Sequence, residues 1–211
     1  MDELDVLKRD WKEKTFTQVS ENDIYKMLHK KSSSIVKWIL IISILEIIFW
    51  SLVNIFSSDE SYLQTLERYH IKTMMNIVNV LNYFVILFFI YLFYKNYKTI
   101  NTTQSVKMLM QNIINTRKTV NYYIWYNLLL MLVVFIIAFT FQFIYDEKIT
   151  NLINKLSENT NTTFVYLLFF VFYALLIAIF IGGLWLFYKL LYGILLKKLN
   201  KNYKELEKME L

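Results

Sequence analysis

The chain has no cysteine and no proline, and only three glycines and two histidines in 211 residues. Without cysteine there is no disulfide, no thiolate nucleophile, no iron–sulfur cluster and no Cys-based zinc site. Without proline, and with Gly182–Gly183 as the one invitation to a break inside an apolar run, long helices should run straight and continuous. Transporters that bind substrate at broken helices depend on the residues missing here. The two histidines, His29 and His70, fall on opposite sides of an apolar run, so they cannot share a metal or a haem. Each reads as a surface residue rather than a catalytic one. No nucleophile motif and no Gly-rich phosphate loop occurs. The expectation is a protein that is not an enzyme, with no metal and no cofactor.

What the chain has instead is apolar length. Residues 73–94, 119–145 and 159–188 contain no Asp, Glu, Lys, Arg or His, and 38–58 is interrupted only by Glu46. Each run can cross roughly 30 Å of hydrocarbon at about 1.5 Å per residue. The predicted fold is an all-α integral membrane four-helix bundle with spans at about 38–56, 74–94, 122–145 and 163–188. Residues 1–34 form an amphipathic segment before it, 35–188 the transmembrane bundle, and 189–211 a basic helical tail. The third and fourth helices are expected to extend into the cytoplasm. The polar N-terminus does not read as a removable signal peptide, so the first span would act as its own insertion signal.

Charge orients the spans. Eight Lys and Arg precede the first span, five lie between the second and third, and six follow the fourth; each of the two alternate connections holds two. Basic segments stay in the cytoplasm, so both termini are expected there. The net charge of +6 therefore answers to topology, and direct nucleic-acid binding is not expected. The same cations should hold the cytoplasmic segments close to anionic lipid, which makes the bilayer itself a partner.

The flanking segments have their own periodicity. Leu4, Leu7 and Trp11 share one face of a short helix over 2–13. Ser20, with Asp23 three residues on, opens a second helix as a variant of the capping box. Ser32–Ser34 either separates that helix from the first span or is absorbed into it. Val106, Leu109, Met110 and Ile113 mark a helix leading into span three. Leu191, Leu195, Leu199, Tyr203 and Leu206 carry span four onward as one continuous helix. Segments 1–31, 99–118 and 190–208 are expected to pack as a small cytoplasmic bundle. The connections 57–72 and 146–161 read as helix extensions plus a turn.

Glu46 is the polar outlier, near the centre of span one, where an ionised carboxylate costs at least ~2.5 kcal/mol. Its helix face continues through Ser43, Trp50 and Asn54. Antiparallel pairing by depth sets Asn54 against Asn76 and Trp50 against Asn79, and lets Glu46 reach Asn82 or Tyr83. These eight residues form a predicted seam between spans one and two. Two readings stay open: an ion, proton or ligand site, or a protonated Glu46 acting as interhelical glue. Ala174, Ala178 and Gly182 recur every four residues in span four. Such a ridge lets another helix approach closely, from within the chain or from a second copy in a homo-oligomer.

Three stretches carry a resemblance: 2–13 (DELDVLKRDWKE), 24–38 (IYKMLHKKSSSIVKW) and 195–206 (LLKKLNKNYKEL). They resemble uncharacterised small four-span membrane proteins of Bacteroidota, often encoded beside sigma factors. The resemblance implies a bacterial inner membrane and a non-enzymatic, anti-sigma-like regulator or adaptor. Its cytoplasmic helices would hold a soluble partner such as a sigma factor, with Leu4, Leu7 and Trp11 docking in a groove. Some such proteins carry a carotene-oxygenase label. Those enzymes hold iron with four histidines, and this chain has two. From a different class, the seam around Glu46 suggests a small oligomeric transporter or channel.

Overall fold

The computed structural model describes residues 20–57, 60–158 and 160–210. Among them are seven helices and no strand: α1 Glu21–Ser57, α2 Glu60–Arg68, α3 Lys72–Thr102, α4 Val106–Tyr145, α5 Glu147–Ser157, α6 Thr162–Leu191 and α7 Gly193–Glu210. Helices α1, α3, α4 and α6 are long and apolar enough to cross a membrane. Their connections alternate ends. The start of α1, the α3–α4 turn and all of α7 gather at one polar end. Helices α2 and α5 lie at the other.

Local chemistry explains the boundaries. The Asp23 N–H donates to Ser20 Oγ at 3.1 Å, and the Ser20 hydroxyl donates to the Asp23 carboxylate at 2.7 Å, which starts α1. The helix then runs without a break through Ser32–Ser34 into the apolar run. Ser105 caps α4 by accepting from Met108 N–H, and Asn161 caps α6 by accepting from Thr163 N–H. Asp146 stops α4. Its backbone is extended, and its carboxylate caps α5 through Lys148 N–H while accepting from the Tyr69 hydroxyl at 2.9 Å. The far connections are therefore separate capped helices, not extensions of the spans.

Helix α2 ends on a different device. His70 takes a left-handed conformation, with φ 57°. Ile71 N–H bonds the Leu66 carbonyl and His70 N–H the Glu67 carbonyl, the two bonds of a Schellman cap. Leu66 and Ile71, both buried, close the cap with the apolar contact that usually accompanies it.

The fourth apolar helix is not continuous with the tail. It ends at Leu191, and α7 begins at Gly193 beyond a turn at Tyr192. The bonds from Tyr192 N–H to Tyr188 and from Leu196 N–H to Tyr192 survive, so the chain bends there rather than breaking away. The expected weak point, Gly182–Gly183, lies inside an unbroken α6. Tyr192, the residue at this turn, is fully buried.

The tightest packing is at the polar end. Leu28, Val36, Ile39, Ile100, Leu109, Ile113, Val120, Leu199 and Leu206 are buried there and in the adjoining turns, in one cluster with Phe89, Phe93, Tyr123 and Tyr188. Each such aliphatic side chain contributes roughly 1.5–3 kcal/mol by burial. Polar links stitch the same region. Tyr25 donates to the Thr103 carbonyl at 3.1 Å, and His29 bonds the Ile100 carbonyl at 2.8 Å. Asn202 donates to buried Ser32 at 3.0 Å, and Arg117 to Asn200 at 2.7 Å. The described parts of the bundle expected from 1–31, 99–118 and 190–208 thus pack together and extend the long-helix bundle directly, while residues 1–19 lie outside the described residues.

Toward the other end the helices open out. Helix α6 packs on α4, α5 and the start of α7, but not extensively on α1 or α3. Most of its large side chains, from Phe164 to Leu186, are exposed.

Candidate functional site

The site forms where the polar bundle meets the apolar half. Glu46, on α1, is only 5% exposed. Tyr188, in the last turn of α6, donates its hydroxyl to Glu46 Oε1 at 2.7 Å. Tyr192, at the bend, reaches Oε2 at 2.8 Å. The Tyr192 hydroxyl also lies 3.1 Å from Ser43 Oγ, and Ser43 donates to the Ile39 carbonyl at 2.8 Å. Tyr123 of α4 stands edge-on to both tyrosines, with ring centroids 6.3 Å from Tyr188 and 6.0 Å from Tyr192. Phe89 and Phe93 of α3 hold Tyr123 from behind.

The partners of Glu46 correct the expected register. Asn82 and Tyr83 do not bond its carboxyl; Asn82 instead accepts from Tyr126 of α4 at 3.2 Å. The two tyrosines lie at the end of α6, so the carboxyl sits at the depth where span four finishes. Measured along α1, Glu46 is eleven residues, or roughly 16 Å, short of the helix end at Ser57.

Counting protons shows what the network can do. Four close contacts link Tyr188, Glu46, Tyr192, Ser43 and the Ile39 carbonyl. Three hydroxyl protons are available. With Glu46 ionised, both carboxylate oxygens accept, and either the Tyr192–Ser43 or the Ser43–Ile39 contact goes without a proton. With Glu46 protonated, it donates to Tyr192, Tyr192 to Ser43 and Ser43 to Ile39, so all four are hydrogen bonds. The ionised state is supported too: two bonds to a charged acceptor, at roughly 1.5–3 kcal/mol each, match the ~2.5–3.5 kcal/mol insertion cost of a membrane carboxylate. Neither state is heavily penalised. No Lys or Arg pairs with Glu46 among the described residues.

A cavity of about 230 Å³ opens from the carboxyl between α1, α3 and α4. Glu46, Tyr123 and Tyr188 line its floor. Trp50, Asn79, Asn82, Tyr83 and Asn127 line its walls, and Asn54 and Val134 lie two to three turns farther from the polar end.

Six of the eight predicted seam residues, Glu46, Trp50, Asn54, Asn79, Asn82 and Tyr83, meet in this cavity. Ser43 sits behind the carboxyl, and Asn76 lies on an exposed face outside the cavity. The seam thus lies among four helices, not two, because α4 and α6 also line the cavity. Tyr123, Asn127, Tyr188 and Tyr192 were not among the predicted residues. Ala174, Ala178 and Gly182 are exposed, and no heavy atom beyond the helix backbone lies within 4 Å of where a Gly182 Cβ would stand. Leu4, Leu7 and Trp11 lie outside the described residues. His29 is half-buried in its bond to α3, and His70 is exposed.

These features define an all-helical protein with four membrane-length helices and a buried carboxyl facing a cavity. The chain belongs to the family described as Domain of unknown function (DUF8845), whose model matches residues 22–211. No curated protein and no solved structure matches it.

Proposed function

We propose that this protein is a multi-pass protein of a bacterial inner membrane, both termini cytoplasmic, that binds a small cation at Glu46 in exchange for a proton. It belongs on this reading to the transporter or channel class, not to the enzymes. The observation that carries the proposal is a buried carboxyl whose two oxygens each keep a tyrosine hydroxyl partner whether or not it holds a proton, facing a cavity of about 230 Å³. The tyrosines and Trp50 add ring faces that attract cations. The asymmetry of Lys and Arg supports the orientation.

Proton release tests the binding step. Purified protein in weakly buffered detergent is titrated with sodium, ammonium or tetramethylammonium. At least one should release protons from the wild type and none from Glu46→Gln. Equal release from both proteins, or release by no cation, would reject the reading. Orientation is tested separately, because a chain without cysteine accepts single-cysteine probes. Ser20→Cys should be shielded from an impermeant maleimide in spheroplasts, and Thr150→Cys labelled.

The adaptor reading makes a separable prediction. Deleting residues 1–18 removes Leu4, Leu7 and Trp11. It should leave proton release intact, whereas an adaptor for a soluble partner would lose that partner.

A further inference from the structure

A second concavity lies on the opposite side of the polar bundle from the α3–α4 turn. Helices α1 and α7 part there to leave a groove of about 570 Å³. Lys30 and Lys31 line it from α1, and Lys198 and Lys201 from α7, with Met27 and Ile35 supplying apolar surface. Asn202, whose bond to Ser32 ties the two helices together, forms part of the lining. Four lysines thus line it from two helices. Among the described residues, the ion pair formed by these lysines is Lys201 with Glu205, at 3.9 Å on α7. Like charges held together by packing repel one another, and a bound anion relieves that repulsion.

Depth identifies the anion's source. Trp38 is exposed at the start of the apolar run, and Trp185 carries the Lys189 ammonium 4.6 Å above its ring, as expected at a membrane boundary. Ile35 and Ser34 lie three and four residues before Trp38, or roughly 5–6 Å along the helix. The headgroup layer on each side of the hydrocarbon is about 5–8 Å deep. The upper rim of the groove therefore falls among the phosphates of the leaflet at the polar end. The apolar side chains point to a lipid, because Met27 and Ile35 suit glycerol and acyl carbons, which free phosphate lacks.

We propose that the α1–α7 groove is a binding site for the phosphate of an anionic phospholipid. The site is independent of the cavity at Glu46 and rests only on the insertion of the four long helices. The lysines act as point charges on the phosphate oxygens. Because α7 follows directly from Tyr192, an occupied groove would also pin the bend that aims Tyr192 at Glu46.

The full-length chain is reconstituted into phosphatidylcholine nanodiscs containing a minor fraction of phosphatidylglycerol, and protein-bound lipid is counted by native mass spectrometry. Wild type should retain phosphatidylglycerol over phosphatidylcholine. The Lys198→Gln/Lys201→Gln variant should lose about 30-fold in that preference, from roughly fivefold per lysine at an anionic surface. The control is Lys98→Gln/Lys118→Gln. Those lysines project from α3 and α4, about five residues beyond the packed Phe93–Tyr123 pair, and so lie no deeper in the polar end than Lys198. Control behaviour within about twofold of wild type supports a built site. Equal losses in both variants would mean diffuse surface attraction and overturn it, as would a wild type with no preference. Glycerol 3-phosphate in solution is the second arm. Failure to displace the lipid supports a headgroup, and displacement at micromolar concentration would overturn lipid as the source.

Discussion

Replacing Glu46 two ways separates a carboxyl that must be charged from one that must only hold its hydrogen bonds. Glutamine reproduces the protonated arrangement. Its carbonyl accepts from Tyr188 as Oε1 does, and its amide donates where the acid proton would, toward Tyr192. Tyr192 can then donate to Ser43 and Ser43 to Ile39, so every contact is kept. Glu46→Gln should change stability by less than about 1 kcal/mol. Glu46→Leu removes both acceptors. Tyr192 retains Ser43, but the buried Tyr188 hydroxyl loses its bond, at about 1–3 kcal/mol. For a chain of this size that corresponds to a fall of roughly 2–12 °C in Tm. Thermal unfolding in one detergent, followed by tryptophan emission at pH 7, compares the three proteins. The expected order is wild type equal to Gln, and Leu below both. A Gln variant as unstable as Leu would refute the proton count, because it would show that the fold needs the negative charge.

Three further outcomes follow from groups elsewhere in the chain. His70→Gly should raise stability by about 0.5–1 kcal/mol, since glycine takes the left-handed cap without a Cβ penalty; a lower Tm would mean that the His70 ring against Tyr145 matters more. The Tyr69 hydroxyl, with smaller help from Lys148 and the backbone, holds the Asp146 carboxyl below its ordinary range. A depressed carboxylate stabilises the fold above its unfolded value, near 3.8, and loses that contribution as pH falls through the lower folded value. Tyr69→Phe should therefore be less stable than wild type at pH 7, with the gap narrowing below pH ~4 in a Tm series; a constant gap would assign the effect to packing. Leu199→Ala, fully buried in the polar bundle, should cost about 2–5 kcal/mol by urea unfolding, against under 1 for exposed Leu190→Ala.

The membrane-length helices were legible because apolar run length is a direct measurement on the sequence. The polar bundle was legible because the 3.6-residue period continues past the apolar runs in α4 and α7. The ends of helices were harder. Ser20 and Asp23 announced α1, whereas the Schellman cap at His70 had no glycine to mark it. The same asymmetry governs the site. Its acid was visible as the lone ionisable group inside an apolar run, and antiparallel depth brought most cavity residues together because α1 and α3 are neighbours. Depth alone could not supply Tyr188 and Tyr192. Glu46 stands eight residues inside the apolar run that begins at Trp38, whereas the tyrosines stand at the finish of α6, so equal counting from one surface separates what the fold joins. What joins them is the bend at Tyr192, where Gly193 follows a residue buried completely. Tyr188 and Tyr192 are spent on a carboxyl, while Trp185, one turn before Tyr188, stays exposed with the Lys189 ammonium over its ring. A seam read as a matter of two helices is closed by a third and a fourth, and the closing residues lie where the apolar run of α6 meets the polar bundle. One hydroxyl, that of Tyr192, therefore joins the carboxyl on α1 to the turn between α6 and α7.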